Sequence, residues 1–205
     1  MAGPKVLLFD LGGVLVDSVG HTELQRLLSK EDPDEVRRRW EASPTLVRFQ
    51  TGRCSADAFA RSFLEEWRLD MQAPEFLERF ASWVKPPSAD TLALLAGLRR
   101  RHSLACLSNT NVVHWELILD GFGLREALDC HLASHELGLL KPTPEIYAQA
   151  VRELGCAPGD IAFFDDAPEN VQGALGAGMA AHRIAGLDQL RPTLARLDLA
   201  QAVAS

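Results

Sequence analysis

Apolar and polar positions follow two rhythms along the chain. Short, largely apolar segments at residues 5–9, 104–107, 129–133 and 161–164, with a further candidate at 181–184, are too short for helices and read as strands. Between them, apolar positions return every three or four residues. Residues 89–101 carry Leu92, Leu95 and Leu98 at i, i+3 spacing and end in basic side chains, which suit the negative end of a helix. Residues 144–154 open on Pro144 and are followed by Gly155, the start and stop signals of a helix. This alternation predicts an α/β fold, a Rossmann-like parallel sheet with crossover helices.

One gap breaks the rhythm, because about eighty residues separate the first strand from the helix that begins near Ala89. Asp32 and Pro33 resemble a helix cap and its first-turn proline. Phe59, Phe63 and Trp67 make an i, i+4, i+8 apolar stripe, and Phe76, Phe80 and Val84 repeat it before Pro86 and Pro87 close the segment. The expected organisation is an α/β core from residues 1–17 and 86–205, with residues 18–85 inserted as a small helical subdomain. Its aromatic side chains are expected to fill its own core.

Composition agrees with a globular fold. The 205 residues are 47% hydrophobic and 24% charged, which excludes disorder, collagen and a coiled-coil rod. The formal charge of −7 offers no broad attraction to nucleic acid or an anionic membrane, so neither is an expected partner. No stretch approaches the ~20 apolar residues that span a bilayer, and nothing near the start resembles a signal-peptide core, so a cytoplasmic location is expected. Cys54, Cys106, Cys130 and Cys156 are scattered singly and read as buried free thiols. His131 and His135 share helical spacing but lack a third ligand, so they do not make a zinc site.

Chemistry gathers where the strands end, because the C-terminal ends of parallel strands converge on one rim. The first strand runs into Asp10, Gly12 and Gly13, and the second into Ser108 and Asn109. Later come Lys141 and, after the fourth strand, Asp165 and Asp166. Adjacent carboxylates at a buried strand end repel unless a cation compensates them. A set of oxygen ligands suits Mg²⁺, which keeps sites for water or phosphate. Asp10, Asp165 and Asp166 balance one Mg²⁺ and Lys141. Lys141, the metal, the Ser108 hydroxyl and N–H groups freed by Gly12 and Gly13 would then hold a phosphate dianion.

These residues resemble the motifs of the haloacid dehalogenase (HAD) superfamily. Phe9-Asp10-Leu11-Gly12-Gly13-Val14-Leu15-Val16-Asp17 is similar to its first motif and Leu107-Ser108-Asn109 to its second. Gly138-Leu139-Leu140-Lys141-Pro142 is similar to the third, and Phe163-Phe164-Asp165-Asp166 with Asn170 to the fourth. The insertion is similar to that family's helical cap. The resemblance implies a phosphatase in which Asp10 attacks phosphorus and forms a phosphoaspartyl intermediate. It further implies Mg²⁺ held by Asp10, the Gly12 carbonyl and Asp165 or Asp166. Ser108 and Lys141 would hold the phosphoryl oxygens, and Asn170 would orient the metal loop.

One departure matters: phosphatases of this superfamily usually carry a second aspartate two positions after the nucleophile, as general acid and base, where this chain has Gly12. Three readings follow. The first is a phosphatase similar to sugar-1-phosphate phosphatases, acting on a small phosphorylated metabolite whose leaving group needs little protonation. The second is a metal-independent 2-haloacid dehalogenase, against which Asp165 and Asp166 argue, and the third a catalytically weak binding protein. From the cap, Arg48 and Arg53 are expected to contact substrate because they flank a loop containing Gly52. Arg37, Arg38 and Arg39 are expected on a solvated helix face. Asp17 and His21 are conceivable replacement acids. A monomer or weak homodimer is expected.

Overall fold

The computed structural model describes residues 3–28 and 31–199. In chain order its elements are β1 (Val6–Phe9), α1 (Gly20–Leu27), α2 (Pro33–Glu41), α3 (Pro44–Gln50), α4 (Ala56–Trp67), α5 (Ala73–Ala81) and α6 (Ala89–Leu98). There follow β2 (Ser103–Ser108), α7 (Val112–Glu116), α8 (Leu124–Ala127), β3 (Cys130–Ala133), α9 (Ser134–Leu137), α10 (Pro144–Leu154), β4 (Ile161–Asp165), α11 (Pro168–Gly176), β5 (Ala180–Arg183) and α12 (Leu187–Arg196). All five expected strands form one sheet in the order β3-β2-β1-β4-β5, and every pairing is parallel.

The central strands β2, β1 and β4 are buried on both faces, which is why they read as apolar runs, whereas the edge strands β3 and β5 are partly exposed. Leu7, Phe9, Leu104, Cys106 and Phe164 face one cluster of the core. Leu8, Ala105, Leu107 and Phe163 face the other, against Ile146 and Tyr147 of α10. Register then sets the site. Phe9 pairs with Cys106 on one side and Phe164 on the other, so the next residues, Asp10 and Asp165, stand side by side at the rim. The Asp10 N–H donates to the Phe164 carbonyl at 2.8 Å. Strand order reverses between β1 and β4, the switch point where open α/β sheets place their ligands.

Helices α1 to α5 enclose a third apolar cluster, in which Phe59, Phe63, Trp67, Phe76 and Phe80 are almost fully buried. Asp32 caps α2 by accepting from the Asp34 and Glu35 N–H groups, and Pro33 opens the helix. The chain enters and leaves this unit along two adjacent segments. Val19 N–H donates to the Trp83 carbonyl at 2.8 Å and Lys85 N–H to the Asp17 carbonyl at 2.9 Å.

Four expectations change. Helix α6 stops at Leu98 rather than residue 101, because the Arg99 guanidinium turns to Asp129 and the chain must already bend into β2. Val84 does not continue the stripe of α5, which ends at Ala81; it bridges to Ser18, and Trp83 takes its place in the cluster. Of the four thiols only Cys106 is buried, the others being half-buried. His131 lies on β3 and His135 on α9, so the two do not share a helix face. Among the described residues, no helix is long and apolar enough to cross a membrane.

Candidate active site

A cavity of about 750 Å³ lies between the strand rim and helices α1, α2 and α3. The rim contributes Asp10, Gly12, Gly13, Ser108, Asn109, Lys141 and Asp166 to its lining. Lys141 is its electrostatic centre. The ammonium is buried, 3.0 Å from Asp10 Oδ1 and 2.6 Å from Asp165 Oδ2. Burial alone would lower its pKa, but the two carboxylates outweigh that and hold it above the ordinary value. Asp10 behaves in the opposite sense: burial first, then the charge of Asp165, push it up to about 6 against the pull of Lys141.

Carboxylate oxygens of Asp10, Asp165 and Asp166 lie within 4.8 Å of one another. Asp166 is also held above the usual carboxylate range, by burial and by Asp165. Three carboxylates facing one ammonium leave a charge of −2, which one divalent cation cancels. The donor set is all oxygen, and Asp10 and Asp166 are raised chiefly by burial, with Asp165 adding to it. A hard ion such as Mg²⁺ fits this set.

Surrounding groups aim these side chains. Asn170, on the first turns of α11, donates its amide to both Asp165 oxygens at 2.9 and 3.1 Å, and the Ala167 N–H adds a third bond. Asn109 lines the cavity, but its amide is spent on the main chain of Lys141. It donates to the Lys141 carbonyl and accepts from the Lys141 N–H, each at 2.9 Å. It thereby positions Lys141 while still lining the cavity. The Ser108 hydroxyl has no protein hydrogen-bond partner among the described residues and remains open to a ligand.

The two glycines differ. Gly13 has φ +79°, and a Cβ there would lie 2.5 Å from Asp166 Oδ2, so only glycine lets the two loops approach this closely. Its N–H, expected to be free for phosphate, donates instead to the Val16 carbonyl at 2.8 Å. A Cβ at Gly12 would meet only Ser18 Cβ, at an ordinary 3.5 Å. Nothing steric therefore excludes a side chain where the usual acid would stand.

The helical side of the cavity carries His21, Arg37, Trp40, Glu41, Gln50 and Trp83. The sequence pointed to other arginines. Arg48 and Arg53 are exposed and lie outside the lining, because α3 turns Leu46 and Phe49 inward and Arg48 outward. Gly52 packs so close to the His135 carbonyl that a Cβ would fall 2.2 Å from it, which seats this loop on α9 rather than over the cavity. Of the arginine run, Arg38 pairs with Glu35, while Arg39 pairs with Glu31 and covers the Trp67 ring. Only Arg37 reaches the cavity. Asp17 is exposed outside it, whereas His21 lines it.

His114 carried no signal in the sequence. It stacks on Phe80 with ring centroids 4.3 Å apart and joins α7 to α5. Its Nε2–H donates to the Phe80 carbonyl at 2.7 Å, while Nδ1 accepts from the Asn111 amide at 3.2 Å. Burial pushes this imidazole down to about 4.

A family model for haloacid dehalogenase-like hydrolases matches residues 4–178. The D-ribitol-5-phosphate phosphatase of Bacteroides thetaiotaomicron is 26% identical over 175 residues, covering 82% of this chain and 85% of that protein. A phosphatase of Mycobacterium tuberculosis is 27% identical over 206 residues, with 94% and 92% covered. A HAD family enzyme of Bacteroides thetaiotaomicron, solved in complex with magnesium and inorganic phosphate, superposes with a TM-score of 0.74 at 23% identity, covering 88% of this chain and 94% of that one.

Proposed function

The chain belongs to the haloacid dehalogenase-like hydrolases, and on that premise we propose that it is a Mg²⁺-dependent phosphatase that hydrolyses a small phosphomonoester through a phosphoaspartyl group on Asp10. The observation that carries this reading is the meeting of Asp10, Asp165 and Asp166 within 4.8 Å, beside a buried lysine that contacts two of them.

Asp10, Asp166 and the Gly12 carbonyl would hold the metal, with Asp165 fixed behind them by Asn170, Lys141 and Ala167 N–H. When bound, Mg²⁺ neutralises phosphate charge and aligns the phosphorus with the nucleophile. Lys141 shields Asp10 from the incoming dianion and, with Ser108, receives the equatorial oxygens. Asp10 Oδ1 is held by the Leu11 N–H at 2.7 Å and by Lys141, so the attacking oxygen is Oδ2. Helices α1 to α5 form a cap that excludes water and contacts the leaving group.

A metal-independent dehalogenase would not need the carboxylate pair. The departing group in the phosphatase reading meets no acid at position 12, so esters with acidic leaving groups, aryl or anomeric, are the favoured substrates. A phosphate-release screen over sugar phosphates, aryl phosphates and nucleotides, with and without Mg²⁺, tests the proposal. Activity should require Mg²⁺ and vanish in Asp10→Asn; metal-independent chloride release from a 2-haloacid, or full activity in Asp10→Asn, would overturn it.

A further inference from the structure

Hydrolysis of a phosphoaspartyl group needs a base for the attacking water, and Gly12 supplies none. The cavity lining holds two imidazoles. Both nitrogens of His114 are spent on Phe80 and Asn111. His21 has no hydrogen-bond partner among the described residues and is held by its ring, edge-on to Trp40 with centroids 5.2 Å apart. It stands in the first turn of α1, only three residues beyond Ser18, which packs against Gly12. Three residues of chain span at most about 10 Å, and the exposed His21 lines the same cavity as Asp10, Ser108 and Lys141.

We infer that His21 is the general base of the second half-reaction, taking over a task that position 12 cannot perform. The inference rests on the phosphatase reading. Water attacks the phosphorus of phosphoaspartate and passes its proton to a ring nitrogen of His21. The bond from phosphorus to Asp10 breaks, its electron pair returns to the carboxylate, and inorganic phosphate leaves. Charges facing the imidazole are Arg37 and Glu41 of α2 on its own side, and Asp10, Lys141, Asp166 and Glu169 across the cavity. The ring is exposed to the cavity, yet the protein around it partly desolvates it; this and Arg37 lower its pKa while Glu41 opposes them, so the ring is neutral and able to accept a proton near pH 7. A neutral imidazole is a poor acid, which leaves the first half-reaction dependent on the leaving group.

The test uses the Mg²⁺-loaded full-length protein and 4-nitrophenyl phosphate, whose leaving group departs without an acid. In His21→Gln, kcat should fall by about 10² or more while kcat/KM, set by phosphorylation of Asp10, stays within about twofold. Rapid mixing should show a burst of one nitrophenolate per enzyme, and mass spectrometry of the quenched variant one phosphoryl group on Asp10. With His21 in place, Arg37→Leu should move the acid limb of kcat to higher pH and Glu41→Gln to lower pH, shifts that a merely structural histidine would not produce. The inference fails if kcat and kcat/KM fall together without a burst, if kcat is unchanged, or if Glu41→Gln alone gives the burst. A wild-type enzyme that never acquires phosphate on Asp10 would remove the phosphatase reading itself.

Discussion

Asn109 and Lys141 hold one another by two reciprocal hydrogen bonds, each 2.9 Å long, between one amide side chain and the main chain thirty-two residues later. This clasp ties the end of β2 to the loop that delivers the buried ammonium between Asp10 and Asp165. The amide supplies a donor and an acceptor at once, which no carboxylate or aliphatic group can do.

Asn109→Leu should therefore leave two buried main-chain groups unpaired, at a cost of about 1–3 kcal/mol each at most. Asn109→Asp keeps the acceptor for the Lys141 N–H but sets a second oxygen against the Lys141 carbonyl, and should be no better. Chemical denaturation should show the loss for both variants. Turnover should fall about 10- to 100-fold, because a displaced ammonium no longer meets the phosphoryl oxygens.

The two glycines after Asp10 should respond in opposite ways. Gly13→Ala places a methyl group 2.5 Å from Asp166 Oδ2 at a φ of +79°, so Mg²⁺ affinity should collapse in a metal titration of activity. Gly12→Ala meets only Ser18 and should fold as the wild type. Gly12→Asp restores an acid beside the leaving group. Its kcat/KM for an alkyl phosphate, relative to an aryl phosphate, should rise by about 10². An unchanged ratio would refute the account given for the leaving-group preference.

The core and its rim were legible because burial on both faces makes the central strands β1, β2 and β4 apolar runs, so the polar residue that ends each marks the rim. Asp10, Ser108 and Asp165 all stand at such places. The helical side was not legible. Which of Arg37, Arg48 and Arg53 meets the cavity depends on how α2 and α3 rotate about their axes, and that is fixed by contacts such as Trp40 on Phe63 and Gly52 on His135. Asn109 was legible as a rim residue, but its bonds to Lys141 were not, since they span thirty-two residues and leave no local pattern.

Acid should loosen the contact between α7 and α5. His114 is neutral in the fold, with a pKa of about 4, whereas in the unfolded chain it titrates near 6.5. The depressed value means that its contribution is complete above about pH 6.5 and is lost as pH falls toward 4, where the unfolded state takes up the proton first. The upper bound is about 3 kcal/mol. Stability measured by denaturant between pH 7 and pH 4 should fall less steeply in His114→Gln than in the wild type.

Metal and stability should be linked through Asp166. Without a cation, burial and Asp165 both disfavour its charge, so Asp166→Asn should raise the melting temperature of the metal-free protein. In the wild type, Mg²⁺ binds the folded state alone and should stabilise it by about 2.7 kcal/mol at a hundred times its dissociation constant. The substitution removes one ligand and much of that gain. The order of melting temperatures should thus invert, with the variant above the wild type in chelator and below it in excess Mg²⁺, and activity lost in both. Such an inversion separates a ligand from a residue that merely supports the loop, because removing a supporting group lowers both melting temperatures together. If Asp166→Asn melts lower than the wild type in chelator, the carboxylates are balanced by the protein itself, and the charge argument for a divalent ion fails.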